Sequence, residues 1–240
     1  MRLDPNASIV ILTGAGISKE SGLDTFRDEG GVWSKVRIED VATPDAYRAN
    51  PARVHEFYNM RRAGVLDDNL HPNAAHKALV ELESKWPGDV LVVTQNVDDL
   101  HERGGTKNLI HMHGELLKSR CTACGDVNEC RIDLSVGSVC AACGAIGTVR
   151  PHIVWFGEMP MQMDEIHDAL ADAGLFISIG TSGNVYPAAG FVDVVRVAGN
   201  GRTIELNLEP SEGATHFDHS NYGPATEIVP AFVQSLLKNI

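Results

Sequence analysis

Five cysteines lie within one short stretch, at Cys121, Cys124, Cys130, Cys140 and Cys143. Cys121-x-x-Cys124 and Cys140-x-x-Cys143 are separated by 15 residues, a spacing that lets four thiolates surround one zinc ion. Four thiolates leave no open coordination position, so the ion would hold structure and take no part in chemistry. Gly125 and Gly144 each follow the second cysteine of a pair and allow the tight knuckle this requires. Cys130 falls outside the pattern and reads as a small packed side chain. A clustered, odd set of cysteines argues against a disulfide framework and for a reducing compartment.

Three polar clusters could do chemistry. Gly14-Ala15-Gly16-Ile17-Ser18 follows an apolar run and precedes a helical stretch. Glycines there can let backbone N–H groups approach a pyrophosphate, although a plain tight turn uses the same letters. The third glycine of a dehydrogenase fingerprint would fall at Lys19, which counts against hydride transfer. Thr94-Gln95-Asn96-Val97-Asp98 ends a second apolar run. Its amide and carboxylate can order a sugar and a water, or Asp98 and Asp99 can simply start the next helix. His111-Met112-His113-Gly114 ends a third run. A histidine there can take up a proton near neutral pH, or both can be hydrogen-bonded structural groups.

These clusters need elements to hold them. Ser8–Thr13, Val90–Thr94, Leu175–Ile179 and Thr203–Leu206 read as buried parallel strands, with a shorter one at Asn108–His111. Pro151–Trp155 reads as extended. Helical patterns run over 44–68, broken at Pro51, and over 73–85, capped by Asn73. Others cover 164–173, 187–198 and 227–237. Strands alternating with helices predict an α/β fold, a doubly wound parallel sheet whose ligands bind beyond the strands' carboxyl ends. The expected division is discontinuous: residues 1–35, 73–118 and 148–240 form the large domain. Residues 36–72 and 119–147 form a small inserted domain, part helical and part cysteine module.

The chain has 240 residues and carries 32 acidic against 20 basic side chains, a net charge of −12. A nucleic-acid partner, which wants a basic face, is therefore not expected. Lysine-rich protein segments suit that field better. No run reaches the ~20 apolar residues of a membrane span, and no export pattern precedes Ser8, so a cytoplasmic protein with no membrane partner is expected.

Taken in order, Gly14–Ser18, Thr25-Phe26-Arg27, Thr94–Asp98, His113-Gly114, the two cysteine pairs, Trp155-Phe156-Gly157-Glu158, Gly180-Thr181-Ser182 and Asn207-Leu208-Glu209 resemble the sirtuin (Sir2) family. The resemblance spans Ser8 to Leu237. Pro72–His76 and Trp155–Pro160 are most similar to its bacterial CobB-type branch. It implies a Rossmann-like sheet with an inserted zinc-binding and helical domain, NAD as co-substrate, one structural zinc, and deacylation of lysine side chains on extended peptides. It places Gly14, Ala15, Gly16, Ser18, Phe26 and Arg27 around the phosphates and nicotinamide ribose. Gln95, Asn96, Val97 and Asp98 would hold the ribose and nicotinamide pocket. Gly180, Thr181, Ser182, Asn207, Leu208, Glu209 and Ala225 would contact the adenosine half.

The same resemblance makes His113 the general base, assisted by Asn96 and Asp98, and gives nicotinamide, free lysine and O-acyl-ADP-ribose as products. Val154, Phe156 and Gly157 resemble a segment that pairs with the peptide as an added strand. Tyr58 and Arg61, three apart on a helix, resemble the class III pair that grips succinyl- and malonyl-lysine. Glu29 departs from that class, where a small residue is usual, and a carboxylate facing the acyl group would repel succinate. ADP-ribosyl transfer or NAD hydrolysis from the same cleft is the alternative within enzymes. A zinc-stabilised binding module without catalysis is the alternative outside them.

Overall fold

The computed structural model describes residues 3–23, 36–199 and 201–238. The expectations for Thr25, Phe26, Arg27 and Glu29 lie outside the described residues. Strands β1 (Ile9–Thr13), β2 (Val90–Thr94) and β7 (Leu175–Ile179) are buried at every position. Runs that are apolar on both faces persist only when helices cover both sides of the sheet. With β3 (Leu109–His111), β8 (Arg202–Asn207) and β9 (His219–Tyr222) they form a six-stranded sheet in the order β3-β2-β1-β7-β8-β9. Every pairing in it is parallel. The winding reverses between β1 and β7, so the loops leaving those two strands diverge and open a crevice at their carboxyl ends.

Side-chain alternation along β1 divides the core. Ile9 and Ile11 pack with helices α5 (Ala74–Lys85) and α9 (Ala225–Leu237) on one face. Val10 and Leu12 pack with α7 (Met163–Ala171) and α8 (Phe191–Ala198) on the other. Each such aliphatic side chain contributes about 1.5–3 kcal/mol over its exposed state. Asn73 caps α5 as expected, accepting from Ala75 N at 2.9 Å. His76 completes the cap: its Nδ1 accepts from Asn73 N at 3.3 Å. Burial pulls the His76 pKa down to about 4, which keeps the ring neutral and able to accept.

Strand β9 has no signature in the residue pattern. All its residues are exposed and none alternates, because it is an edge strand held by backbone pairing to β8 rather than by burial.

A second sheet is antiparallel, in the order β5-β4-β6: β4 (Gly114–Cys121), β5 (Val127–Glu129) and β6 (Val149–Ile153). Its residues Leu116, Leu117 and Ile153, with Trp155 just beyond β6, share a third core with α2 (Ile38–Val41), α3 (Pro44–Ala49) and α4 (Pro51–Val65). Pro44 and Pro51 each begin a helix, where a missing N–H costs nothing. Asn50 ends α3 and caps α4 through Arg53 N at 3.1 Å, so the break at Pro51 is a change of helix. Among the described residues no helix is long and apolar enough to cross a membrane.

Candidate active site

The loop from β1 into the short helix α1 (Gly16–Lys19) lies against the end of β7. Gly16 N donates to Gly180 O at 2.9 Å, and Gly14 N donates to Ile179 O at 3.0 Å. A Cβ on Gly16 would sit 2.6 Å from Gly180 Cα, so the glycines are required by loop-to-loop packing. With those two amides engaged, the Ala15 N–H is the one in Gly14–Gly16 that donates to no described residue. It stands in the crevice between β1 and β7.

Asn96, Asp98 and Ser18 form a buried knot beside that loop. Asn96 Nδ2 donates to Gly14 O and to Ser18 Oγ, both at 3.1 Å. Ser18 Oγ donates to Asp98 Oδ2 at 3.2 Å. Asp98 Oδ1 accepts from Leu100 N at 3.1 Å, at the start of α6 (Leu100–Gly104). Asp98 therefore both starts the helix and joins the polar cluster. Burial pushes its carboxyl up, and the hydrogen bonds from Leu100 and Ser18 oppose that shift.

Beneath the knot lies a chain that sequence reasoning missed. Thr13 Oγ1 donates to Thr94 Oγ1 at 2.8 Å and lies 3.0 Å from His101 Nε2. Thr94 Oγ1 in turn accepts from Asn96 N at 3.0 Å. Thr13 and Thr94 are adjacent in register. A threonine closing each of two apolar strands was the available signal.

Both motif histidines are tethered to the segment after β2. His111 Nδ1 is 3.2 Å from Asn96 O, and its Nε2 is 2.7 Å from Glu102 Oε1. Burial disfavours its charge, yet the Glu102 carboxylate outweighs burial and raises its pKa. His113 Nδ1 is 3.2 Å from Gln95 O. Burial lowers the His113 pKa, only partly offset by that bond. Gly114, at φ +83°, turns the chain into β4 directly after it. The two histidines are therefore different instruments: His111 is a strut tied to a carboxylate that raises its pKa, and His113 is a ring whose pKa burial lowers. With Nδ1–H donated to Gln95 O, His113 presents Nε2 as a proton acceptor.

On α4, Tyr58 is 1% exposed, so it does not belong to a solvated helix face. Its hydroxyl oxygen accepts from Trp155 Nε1 at 3.0 Å. Burial pushes its pKa up to about 12, so it stays a neutral donor. Burial lowers the Arg61 pKa, and the nearby Asp98 carboxylate opposes that shift. Its guanidinium carbon lies 6.0 Å from the Phe57 ring centre.

Trp155 begins a loop clamped by charge. Glu158 Oε2 accepts from Trp155 N at 2.8 Å, and Arg150 bonds both Glu158 oxygens at 2.7 and 3.0 Å. The amides of Val154 and Phe156 are taken by His113 O and Ala42 O, at 2.9 and 3.0 Å. Gly157 N–H has no acceptor among the described residues, and the Phe156 ring is exposed.

Across the crevice, Asn207 Nδ2 donates to Thr181 O at 2.8 Å. Thr181 Oγ1 lies 2.9 Å from Ser178 Oγ. Ser182 is half-buried, Leu208 and Glu209 are exposed, and Ala225 opens α9 against the core. Glu205, 1% exposed, was not anticipated: it accepts from Ser211 N at 3.3 Å and Tyr222 Oη at 3.0 Å. It braces this rim from below.

The cysteines converge. Cys121 and Cys143 sulfurs are 3.8 Å apart, and Cys124 and Cys140 sulfurs 3.7 Å. A tetrahedron with metal–sulfur bonds of about 2.3 Å places its sulfurs about 3.8 Å apart. The donor set therefore fits zinc. Each pair turns on the expected glycine: Gly125 N donates to Cys121 O at 3.0 Å and Gly144 N to Cys140 O at 2.9 Å. Cys130 stands outside the four, buried, with its Sγ 3.5 Å from Ile132 O.

A doubly wound α/β sheet with its polar groups at the β1/β7 switch, joined to a four-cysteine module, defines a Rossmann-like protein with a structural metal site. The Sir2 family description matches residues 14–187, and the chain belongs to the Sir2 family. An NAD-dependent protein deacylase of Bdellovibrio bacteriovorus is 57% identical over 231 residues, covering 96% of this chain and 97% of that one. A solved Sir2 homologue–NAD complex aligns with a TM-score of 0.86 at 38% identity, covering 96% and 90% of the two chains. A Sir2 protein solved with a deacetylated p53 peptide and 3′-O-acetyl ADP-ribose aligns with a TM-score of 0.78 at 30% identity, covering 96% and 92%.

Proposed function

We propose that this chain is an NAD-dependent protein lysine deacylase that removes acetyl groups and, through Tyr58 and Arg61, succinyl and malonyl groups. The observation that carries the reading is His113. Its Nδ1 is held by Gln95 O, leaving Nε2 as an acceptor on a ring that burial keeps neutral. The deacylase names of close relatives and the NAD complex of a solved homologue support the same reading.

NAD, when bound, would supply an activated ribose carbon and hydroxyls that receive the acyl group, so that with one water consumed the products are nicotinamide, free lysine and O-acyl-ADP-ribose. The protein's residues fit it. Gly14 and Gly16 let the loop close onto Gly180, and the Ala15 amide is available to an anion. Phe26 and Arg27 belong to the same proposed cradle. Ser18, Gln95, Asn96, Val97 and Asp98 hold the ribose and nicotinamide side, with Asn96 and Asp98 pre-set by their mutual bonds through Ser18. Gly180, Thr181, Ser182, Asn207, Leu208, Glu209 and Ala225 take the adenosine side. His113 Nε2 takes a proton from a ribose hydroxyl. The peptide lies extended along Val154, Phe156 and Gly157, with the Gly157 N–H as a donor for its backbone.

Residues 1–35, 73–118 and 148–240 form the nucleotide-binding part, and 36–72 with 119–147 the smaller part. Strands β4 and β6 tie the two together. Cys121, Cys124, Cys140 and Cys143 hold one structural zinc, and four reduced thiols suit the cytoplasm.

The test is one peptide carrying acetyl-, succinyl- or malonyl-lysine, incubated with NAD, with nicotinamide and acyl-ADP-ribose measured together. Equal amounts of both products are expected. Nicotinamide without acyl-ADP-ribose would replace deacylation by NAD hydrolysis.

A further inference from the structure

A buried phenol normally spends both of its hydrogen-bonding capacities. Tyr58 spends one. Its oxygen accepts the Trp155 indole N–H at 3.0 Å, but its own O–H finds no acceptor among the described residues. Both side chains are nearly sealed, at 1% and 2% exposure. Leaving a buried donor unpaired is costly, so this O–H is poised to pair with any acceptor that reaches it. Arg61, on the same face of α4, adds positive charge next to it.

What fixes the direction of that O–H is Trp155. A phenol hydrogen lies near the ring plane, and the in-plane position met by the indole N–H is closed to it. The indole is itself immobile. Its backbone N–H is held by Glu158 at 2.8 Å, and the Arg150 guanidinium sits 3.2 Å over its ring. Arg150 also donates to Ile153 O at 2.7 Å, fixing the strand end from which Trp155 departs. Trp155 thus lies between Val154 and Phe156, proposed to meet the peptide, while its side chain reaches across to α4.

We propose that Trp155 is a positioning residue for acyl selectivity: its indole N–H orients the Tyr58 hydroxyl toward the carboxylate of a dicarboxylic acyl-lysine. This rests on the reading of Tyr58 and Arg61 as the acyl-recognising pair. It adds that the peptide-binding loop and the acyl-binding helix are coupled through one hydrogen bond. Phenylalanine at 155 would keep an aromatic ring there and lose the donor.

The experiment compares kcat/KM for acetyl- and succinyl-lysine versions of one peptide in Trp155→Phe, Tyr58→Phe, the double variant and Arg61→Met. In Trp155→Phe the succinyl-to-acetyl ratio should fall about tenfold, mainly through succinyl KM, the order expected for one hydrogen bond to a charged group. Because Trp155 acts through Tyr58, the double variant should be no worse than Tyr58→Phe alone. If Tyr58→Phe and Arg61→Met leave the ratio unmoved, the acyl-pair reading itself fails. If they lower it while Trp155→Phe does not, or if the two aromatic changes multiply, that reading stands and the role of Trp155 is overturned. Should Trp155→Phe fold poorly, benzothienylalanine at 155, an indole isostere without the N–H, gives the same decision from calorimetric binding of the succinyl peptide.

Discussion

At the strand ends, Asn96, Asp98 and Ser18 are buried and bonded to one another and to the backbone, above a floor of Ile, Val and Leu from two fully covered strands. In the cysteine module the buried set is small: Cys121, Cys130, Leu134, Cys140 and Val149. Ile132, Val136, Val139 and Ile146 are exposed there. The first region fixes its polar groups through hydrophobic burial that was needed for the sheet anyway. The second has too little apolar area to order itself and relies on metal–thiolate bonds. The described polar groups of the cleft are thus held by burial alone, whereas the module is expected to depend on zinc.

The largest expected effect attacks the module. Cys140→Ser, or a strong chelator, should release zinc and unfold the module, since structural zinc supplies on the order of 10 kcal/mol to small sites. Zinc content and the thermal transition measure this, and a full complement of zinc in the variant would remove Cys140 from the ligand set. His113→Tyr attacks the cleft. It should lower turnover about 10²–10⁴-fold, the usual yield of general base catalysis, with the melting curve preserved. In the wild type, activity should be lost as pH falls through the His113 pKa, which lies below the ordinary histidine value. An acid limb of kcat/KM above the usual range near 6.5 would contradict it.

A third test separates the regions by acid. His76, held near 4 when folded, binds a proton in the unfolded chain at higher pH. Stability is therefore full above about 6.5 and falls as pH drops toward 4, by roughly 3 kcal/mol from this group. Buried His101, also pulled down by burial, acts in the same direction. Denaturant melts of His76→Gln should show a flatter pH dependence, and an unchanged slope would exclude His76. Smallest is Arg61→Met, expected to cut the succinyl-to-acetyl kcat/KM ratio about tenfold, the worth of one charged contact. Parallel loss on both substrates would return Arg61 to a structural role.

Much of the candidate site's layout was legible because its patterning is local. The two Cys-x-x-Cys pairs, each followed by glycine, carry their own turn geometry, and His113-Gly114 stands at a strand end. Asn73 as the cap of α5 was likewise visible, but His76 as its return partner was not, since glutamate or glutamine is the usual partner there. Strand β9 escaped because an exposed edge strand leaves no hydrophobic period to read.

Residue types and spacing alone determined the parallel sheet, the four clustered cysteines and the set of polar groups at the strand ends, because each follows from short-range patterning of burial or turn geometry. Only the tertiary structure decided which of two histidines is held by a carboxylate and which is buried without one. That difference depends on Glu102 approaching His111 to 2.7 Å and on the burial of His113. It likewise decided that Tyr58 is sealed against Trp155, 97 positions away in the chain. Electrostatic and hydrogen-bond environments are set by neighbours brought together through folding, and a linear sequence does not encode them at any fixed spacing.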